Sequence, residues 1–262
     1  MIIDGHSHVI LPVDKHIKIM DEAGVNMTIL FSTSIHPETA ANLEDLKTEM
    51  KKLNNIVDGK ANSMLEARRN SIKELKNVIQ AYPSRYVGFG CVPVGLSEDE
   101  TNSYFEENIA NNKLAGIGEL TPASGQIKAL KSIFQASMNF GRLPIWIHTF
   151  NPLILQDIKE IAELCKTFPH IPVILGHMGG TNWMTAVDIA KEMNNVYLDT
   201  SAYFSTLVLQ IAINELPQKC IFGVDMPYGD LQLSIDAIKK VSRDSLVANA
   251  VLGDNIAKLL KI

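Results

Sequence analysis

At 262 residues and 28.9 kDa the chain can bury one barrel-sized core or two smaller ones. Its net charge of −5 leaves no basic footprint of the kind a phosphate backbone demands, so a tightly held nucleic acid is not expected. No apolar run approaches the roughly 20 residues of a membrane span, and the first residues carry neither a basic n-region nor a cleavage site.

Cys91, Cys165 and Cys220 lie in apolar stretches without paired spacing and read as buried free thiols. A cytoplasmic protein with no membrane partner is expected, since thiols stay reduced there.

In chain order, short apolar runs alternate with longer amphipathic stretches. MIID opens the chain and leads into Gly5-His6-Ser7-His8. A helix is expected over 13–23, with Gly24 as its left-handed terminator. The second run, MTILFS at 27–32, gives way to a long polar interval, 33–63, before helical spacing resumes over 64–81. YVGFGCVPV (from 86) and LAGIGEL (from 114) follow, then an expected helix over 126–140. PIWIH (144–148) precedes a helix over 153–167, which Phe168-Pro169 discourages from continuing. PVILGH (172–177), NVYLDT (195–200) and KCIFGVD (219–225) complete the strands, with helices over 182–193, 205–215, 230–241 and 245–260.

The runs are apolar on both faces, which favours parallel strands covered on both sides. Eight strand–helix repeats in this length suit a single (β/α)8 TIM barrel of the α/β class, one domain spanning 1–262. A doubly wound open sheet competes, but no Gly-rich phosphate loop follows the first strand. The interval 33–63 is an insertion after strand two. It falls where barrel active-site loops fall and reads as a lid or substrate wall, or else as an added helix on the rim.

Functional groups of a barrel project from the C-terminal ends of its strands. Those ends carry His6 and His8, Glu119, His148, His177 and Asp225. Residues i and i+2 of an extended segment point to one side, so His6 and His8 can face a single ion. Four histidines closing apolar strands indicate a metal site. Asp225, before a Met-Pro turn, can ligate the ion or accept a proton from water, whereas Asp230 suits the cap of the next helix. Glu119 can bridge a second ion or hydrogen-bond a histidine. Imidazoles with carboxylates favour Zn²⁺, then Mn²⁺, Fe²⁺ or Co²⁺, and the lack of cysteine at these ends argues against a closed structural zinc. Such an ion lowers the pKa of bound water from about 16 to about 7.

His36, Arg68 and Arg69, in or after the insertion, and Trp183 and Tyr203 are weaker pocket candidates. An arginine there could clamp a substrate carboxylate. His16 and His170 read as surface histidines.

DGHSHVI, PIWIHTF, VILGHMGG and FGVDMPYGD, with the closing VLGDNIAKLLKI, resemble in order and spacing the amidohydrolase superfamily. The likeness is to its amidohydrolase-related branch, which includes aminocarboxymuconate-semialdehyde decarboxylase, and it runs from residue 4 to residue 262. Ile256 departs from the alanine usual in the terminal pattern. The resemblance implies that His6, His8, His148 and Asp225 bind one divalent ion, usually zinc. His177 would then activate water, polarise the substrate or ligate a second ion. Glu119 in GIGEL departs from mononuclear members and looks more like the glutamate of TatD-type hydrolases, so one ion or two are expected.

The main functional expectation is a hydrolase of a small amide, ester or lactone, with Asp225 and His177 catalytic. Non-oxidative decarboxylation of an unsaturated or aromatic acid, two-metal phosphodiester cleavage, and a non-enzymatic metal barrel are the alternatives. The expected partner is a small molecule; a homodimer would be unsurprising.

Overall fold

The computed structural model describes residues 1–57 and 65–262. Eight parallel strands form one sheet in sequence order: β1 (Ile3–His8), β2 (Met27–Phe31), β3 (Tyr86–Gly90), β4 (Gly116–Leu120), β5 (Ile145–His148), β6 (Val173–Gly176), β7 (Val196–Asp199) and β8 (Cys220–Ile221). The sheet rolls until its last strand meets its first. Gly5 N donates to Phe222 O at 2.7 Å, and Ser7 pairs with Met226. This is the expected (β/α)8 barrel.

Around it run α1 (Val13–Ala23), α2 (Leu43–Val57), α3 (Leu65–Ala81), α4 (Glu98–Phe105), α5 (Lys131–Asn139), α6 (Leu155–Thr167), α7 (Trp183–Glu192), α8 (Thr206–Glu215), α9 (Leu231–Val241), α10 (Ser245–Asn249) and α11 (Asn255–Leu260). Local chemistry sets several of their ends. Gly24, at φ 70°, terminates α1, and the Asp230 carboxylate accepts from Leu233 N at 2.8 Å to cap α9. No helix among the described residues is long and apolar enough to cross a membrane.

Two apolar layers hold the fold. Inside the barrel, Ile3, Ile29, Phe31, Phe89, Trp146, Ile174 and Ile221 pack with Ile256 of α11. A larger layer fills the space between strands and helices. Full burial of one such side chain is worth about 1.5–3 kcal/mol. Gly118, at φ 145°, makes room for the interior layer, because a Cβ there would stand 2.8 Å from Trp146 Cβ.

Four differences from the sequence reading have physical causes. Helix α4 is not legible as a periodic run because SEDETNSYFEEN is mostly polar; a Ser97–Glu100 capping box starts it and Tyr104 and Phe105 anchor it. The last strand pairs regularly only over Cys220–Ile221, since Val224 N and Asp225 N both turn to donate to His6 O. The helix expected over 126–140 begins as a tighter turn, Ile127–Leu130. His16, read as a surface residue, is buried: α1 turns it inward against Tyr86, whose hydroxyl lies 3.3 Å from its Nδ1.

After β2 the chain makes one short turn at Pro37–Thr39 and then α2. Residues 58–63 of the expected insertion, and Met64 at the expected helix start, lie outside the described residues. The three cysteines are buried and unpaired.

Candidate metal centre

All six side chains expected at the site meet at the C-terminal mouth of the barrel. His6 and His8 stand two residues apart on β1 and share a face. Glu119 comes from β4 and His148 from the end of β5, while His177 and Asp225 follow β6 and β8.

They form two groups. His6 Nε2 and His8 Nε2 lie 3.7 and 3.3 Å from Asp225 Oδ1. Glu119 Oε1 lies 3.1 Å from both His148 Nδ1 and His177 Nε2, which are 3.1 Å from each other. The other oxygen, Glu119 Oε2, faces the first group, 3.7 Å from His6 Nε2 and 4.0 Å from His8 Nε2. Glu119 thus stands between two pairs of histidines.

The cluster fits a divalent cation. His6 is fully buried, yet its Nε2 has no hydrogen-bond partner. Leaving such a group unsatisfied costs about 1–3 kcal/mol. Oxygens at 3.7 Å are too distant to relieve it. The donor atoms of His6, His8 and Asp225 lie within 4.8 Å of one another, as do those of Glu119, His148 and His177. Mixed nitrogen and oxygen donors without sulfur suit zinc, manganese or iron.

Backbone and electrostatics both mark the place as costly. His177 and Asp225 adopt left-handed φ of 59° and 62°, strain that concentrates at functional sites. Burial opposes protonation of His6, but the carboxylates of Asp199, Glu119 and Asp225 outweigh it and push its pKa up to about 10. Burial likewise opposes charge on Glu119, yet His6 and His148 hold its carboxyl well below the usual range. His148 is raised, with burial overcome by Glu119. Burial pushes Asp4 up to about 7, although the Ser7 hydroxyl and the His6 N–H work against it. A cation among these groups would compete with their protons.

Sequence reasoning missed Asp199 and Ser201, buried at the end of β7. Asp199 Oδ2 is 2.6 Å from His6 Nδ1 and accepts from Ser201 Oγ at 2.6 Å; burial is again overcome, here by His6, and its pKa is lowered. The signal was present, since NVYLDT carries an acid next to its end, much as PIWIH, PVILGH and KCIFGVD close in histidine or acid.

A cavity of about 1000 Å³ opens above the cluster, lined by five of the six residues and by Arg68, Tyr228, and Met50 and Leu53 of α2. The other weak candidates stay out of its lining. His36 is held between Glu38 and Glu74, at 3.2 Å from each. Arg69 pairs with Glu107 at 3.2 Å, and neither Trp183 nor Tyr203 borders the cavity. His170 is exposed, as expected.

A parallel eight-stranded barrel with four imidazoles and two carboxylates gathered at its C-terminal mouth defines a TIM-barrel protein of metal-site type. The Amidohydrolase family profile matches residues 3–262, and the chain belongs to that family. No curated protein matches the sequence. Among solved structures, it is similar to 5-carboxyvanillate decarboxylase from Sphingomonas paucimobilis, with 16% identity, 100% of this chain and 99% of that one covered, and a TM-score of 0.70. A dihydroxybenzoic acid decarboxylase from Polaromonas with bound manganese shares 17% identity over 99% and 96% of the chains, at a TM-score of 0.66. For 4-oxalomesaconate hydratase from Rhodopseudomonas palustris the values are 14%, 100% and 96%, and 0.68. Likeness at these identities shows the shared fold.

Proposed function

We propose that the protein is a metal-dependent hydrolase of a small amide, ester or lactone. The observation that carries this reading is the position of Glu119, with one oxygen toward His148 and His177 and the other toward His6 and His8. His6, His8 and Asp225 would hold one divalent ion, and Glu119, His148 and His177 a second. Zinc is the first expectation, and the manganese of a same-fold decarboxylase makes that ion the next. Ions so held supply Lewis acidity and hydroxide at neutral pH.

The chain's own groups do the rest. The Asp225 carboxylate, 15% exposed to the cavity, takes the proton of the attacking water and returns it to the leaving group. In a one-ion site, His177 Nε2 would instead be free to orient the substrate carbonyl. Arg68 reaches the cavity from α3 and offers a planar fork to a substrate carboxylate. Met50 and Leu53 give the cavity an apolar wall, which supports a substrate-wall role for α2. A cytoplasmic protein working on a small molecule, alone or as a homodimer, completes the reading.

Arg68 favours a second reading, non-oxidative decarboxylation of an unsaturated or aromatic acid, the kind of reaction named for two of the fold relatives. Here His177 or Asp225 would deliver the proton. Zinc- and manganese-loaded protein should be assayed against amides, esters and lactones, with carbon dioxide release from aromatic and unsaturated acids followed in parallel. Hydrolysis without carbon dioxide supports the first reading. Carbon dioxide release alone, or cleavage of a generic phosphodiester alone, overturns it.

A further inference from the structure

The outer hydrogen bonds of His6 and His177 converge on one buried carboxylate. Asp199 Oδ2 lies 2.6 Å from His6 Nδ1, 2.6 Å from Ser201 Oγ and 3.2 Å from the His177 backbone N, with Trp146 Nε1 at 3.4 Å. Ser201 Oγ in turn lies 2.9 Å from His177 Nδ1. A carboxylate can only accept, so His6 must donate through Nδ1. A hydroxyl carries a single hydrogen. Ser201 commits its hydrogen to Asp199, which leaves only lone pairs for His177, so His177 must also donate through Nδ1.

We propose that Asp199, relayed by Ser201, is the positioning residue that fixes the hydrogen placement of His6 and His177 together. Both rings then turn Nε2 toward the cluster, His6 toward Glu119 and Asp225, His177 toward Glu119 and His148. One carboxylate therefore orients a member of each of the two groups. His148 is set separately, because its Nε2 lies 3.1 Å from the Asn151 carbonyl, which can only accept. The purpose of this wiring rests on the metal-centre reading, but its geometry does not. Outer hydrogen bonds of this kind fix ring orientation and typically change metal affinity 10–100-fold.

Nitrogen-15 spectra of histidine-labelled protein, metal-free and zinc-loaded, test it. Both His6 and His177 should carry hydrogen on Nδ1 in both states, and zinc should shift only their Nε2 resonances. Ser201→Ala should release the Nδ1 preference of His177 and leave His6 unchanged. Asp199→Asn should release both and weaken zinc binding by about 10–100-fold in competition with a chelator. If Asp199→Asn does not fold, Ser201→Ala alone decides the matter. The proposal is overturned by a hydrogen-free Nδ1 on His177 in the wild type, or by an unchanged His177 in Ser201→Ala. Nε2 resonances that zinc leaves unshifted instead count against the metal-centre reading and leave the wiring intact.

Discussion

His8 Nε2 and Asp225 Oδ1 lie 3.3 Å apart, one on the first strand and the other on the turn leaving the eighth. The barrel seam brings them together, since Asp225 N donates to His6 O at 2.6 Å. Asp225→Asn keeps the shape and removes the charge. Ion affinity should fall by at least the ~10–100-fold that loss of an outer-sphere partner costs. Turnover should fall by about 10²–10⁴, the share of a general base. Chelator competition and steady-state kinetics check both, with circular dichroism confirming the fold.

Arg68→Gln should act on binding more than on chemistry. A lost charge-assisted hydrogen bond of about 1.5–3 kcal/mol corresponds to a KM raised roughly 10–100-fold for carboxylate-bearing substrates. kcat should change little, and a neutral analogue should not respond. Equal losses for charged and neutral substrates would show that Arg68 does not touch the carboxylate.

Acid should weaken the fold through His16. Burial, helped by the positive charge of Arg85, depresses its pKa from 6.5 to about 4. Between those values the unfolded chain binds a proton that the folded chain refuses, so stability falls as pH falls from 6.5 towards 4. The full effect is of order 3 kcal/mol, at about 1.4 kcal/mol per unit. Urea midpoints of the wild type and His16→Phe at pH 7 and 4.5 should show the wild type losing more.

Alkali should act through His36 with the opposite sign. Hydrogen bonds to Glu38 and Glu74 raise its pKa from 6.5 to about 9, and its backbone N donates to Glu49 of α2. The stabilisation is full below 6.5 and is lost as pH rises through about 9. His36→Gln should remove that alkaline slope from the unfolding profile. A variant with the wild-type slope would assign it to another group.

Gly5→Ala tests the seam beneath the site. A Cβ at Gly5 would stand 2.7 Å from Phe222 O and 2.8 Å from Ile221 Cγ2. Backbone cannot yield as a flexible side chain can, so a loss of about 1–3 kcal/mol is expected in denaturant unfolding. A neutral result would mean that the first and last strands do not pack this closely.

The strands, most helices and all six cluster residues were legible in the sequence because each depends on local order: apolar runs, helical spacing, and an imidazole or carboxylate closing a strand. What stayed hidden depends on which surfaces meet. The burial of His16 follows from α1 facing Tyr86. Asp199 looked like the end of a strand until β7 carried it beneath both His6 and His177. Glu119 reads as a bridging ligand or as a hydrogen-bond partner of a histidine, and only the closed barrel sets its two oxygens toward different histidine pairs. The kinds of donor, and the strand ends that bear them, are written in the order of residues. The distances among those donors belong to the tertiary structure alone, because they depend on strand register and barrel closure, which join residues far apart in the chain.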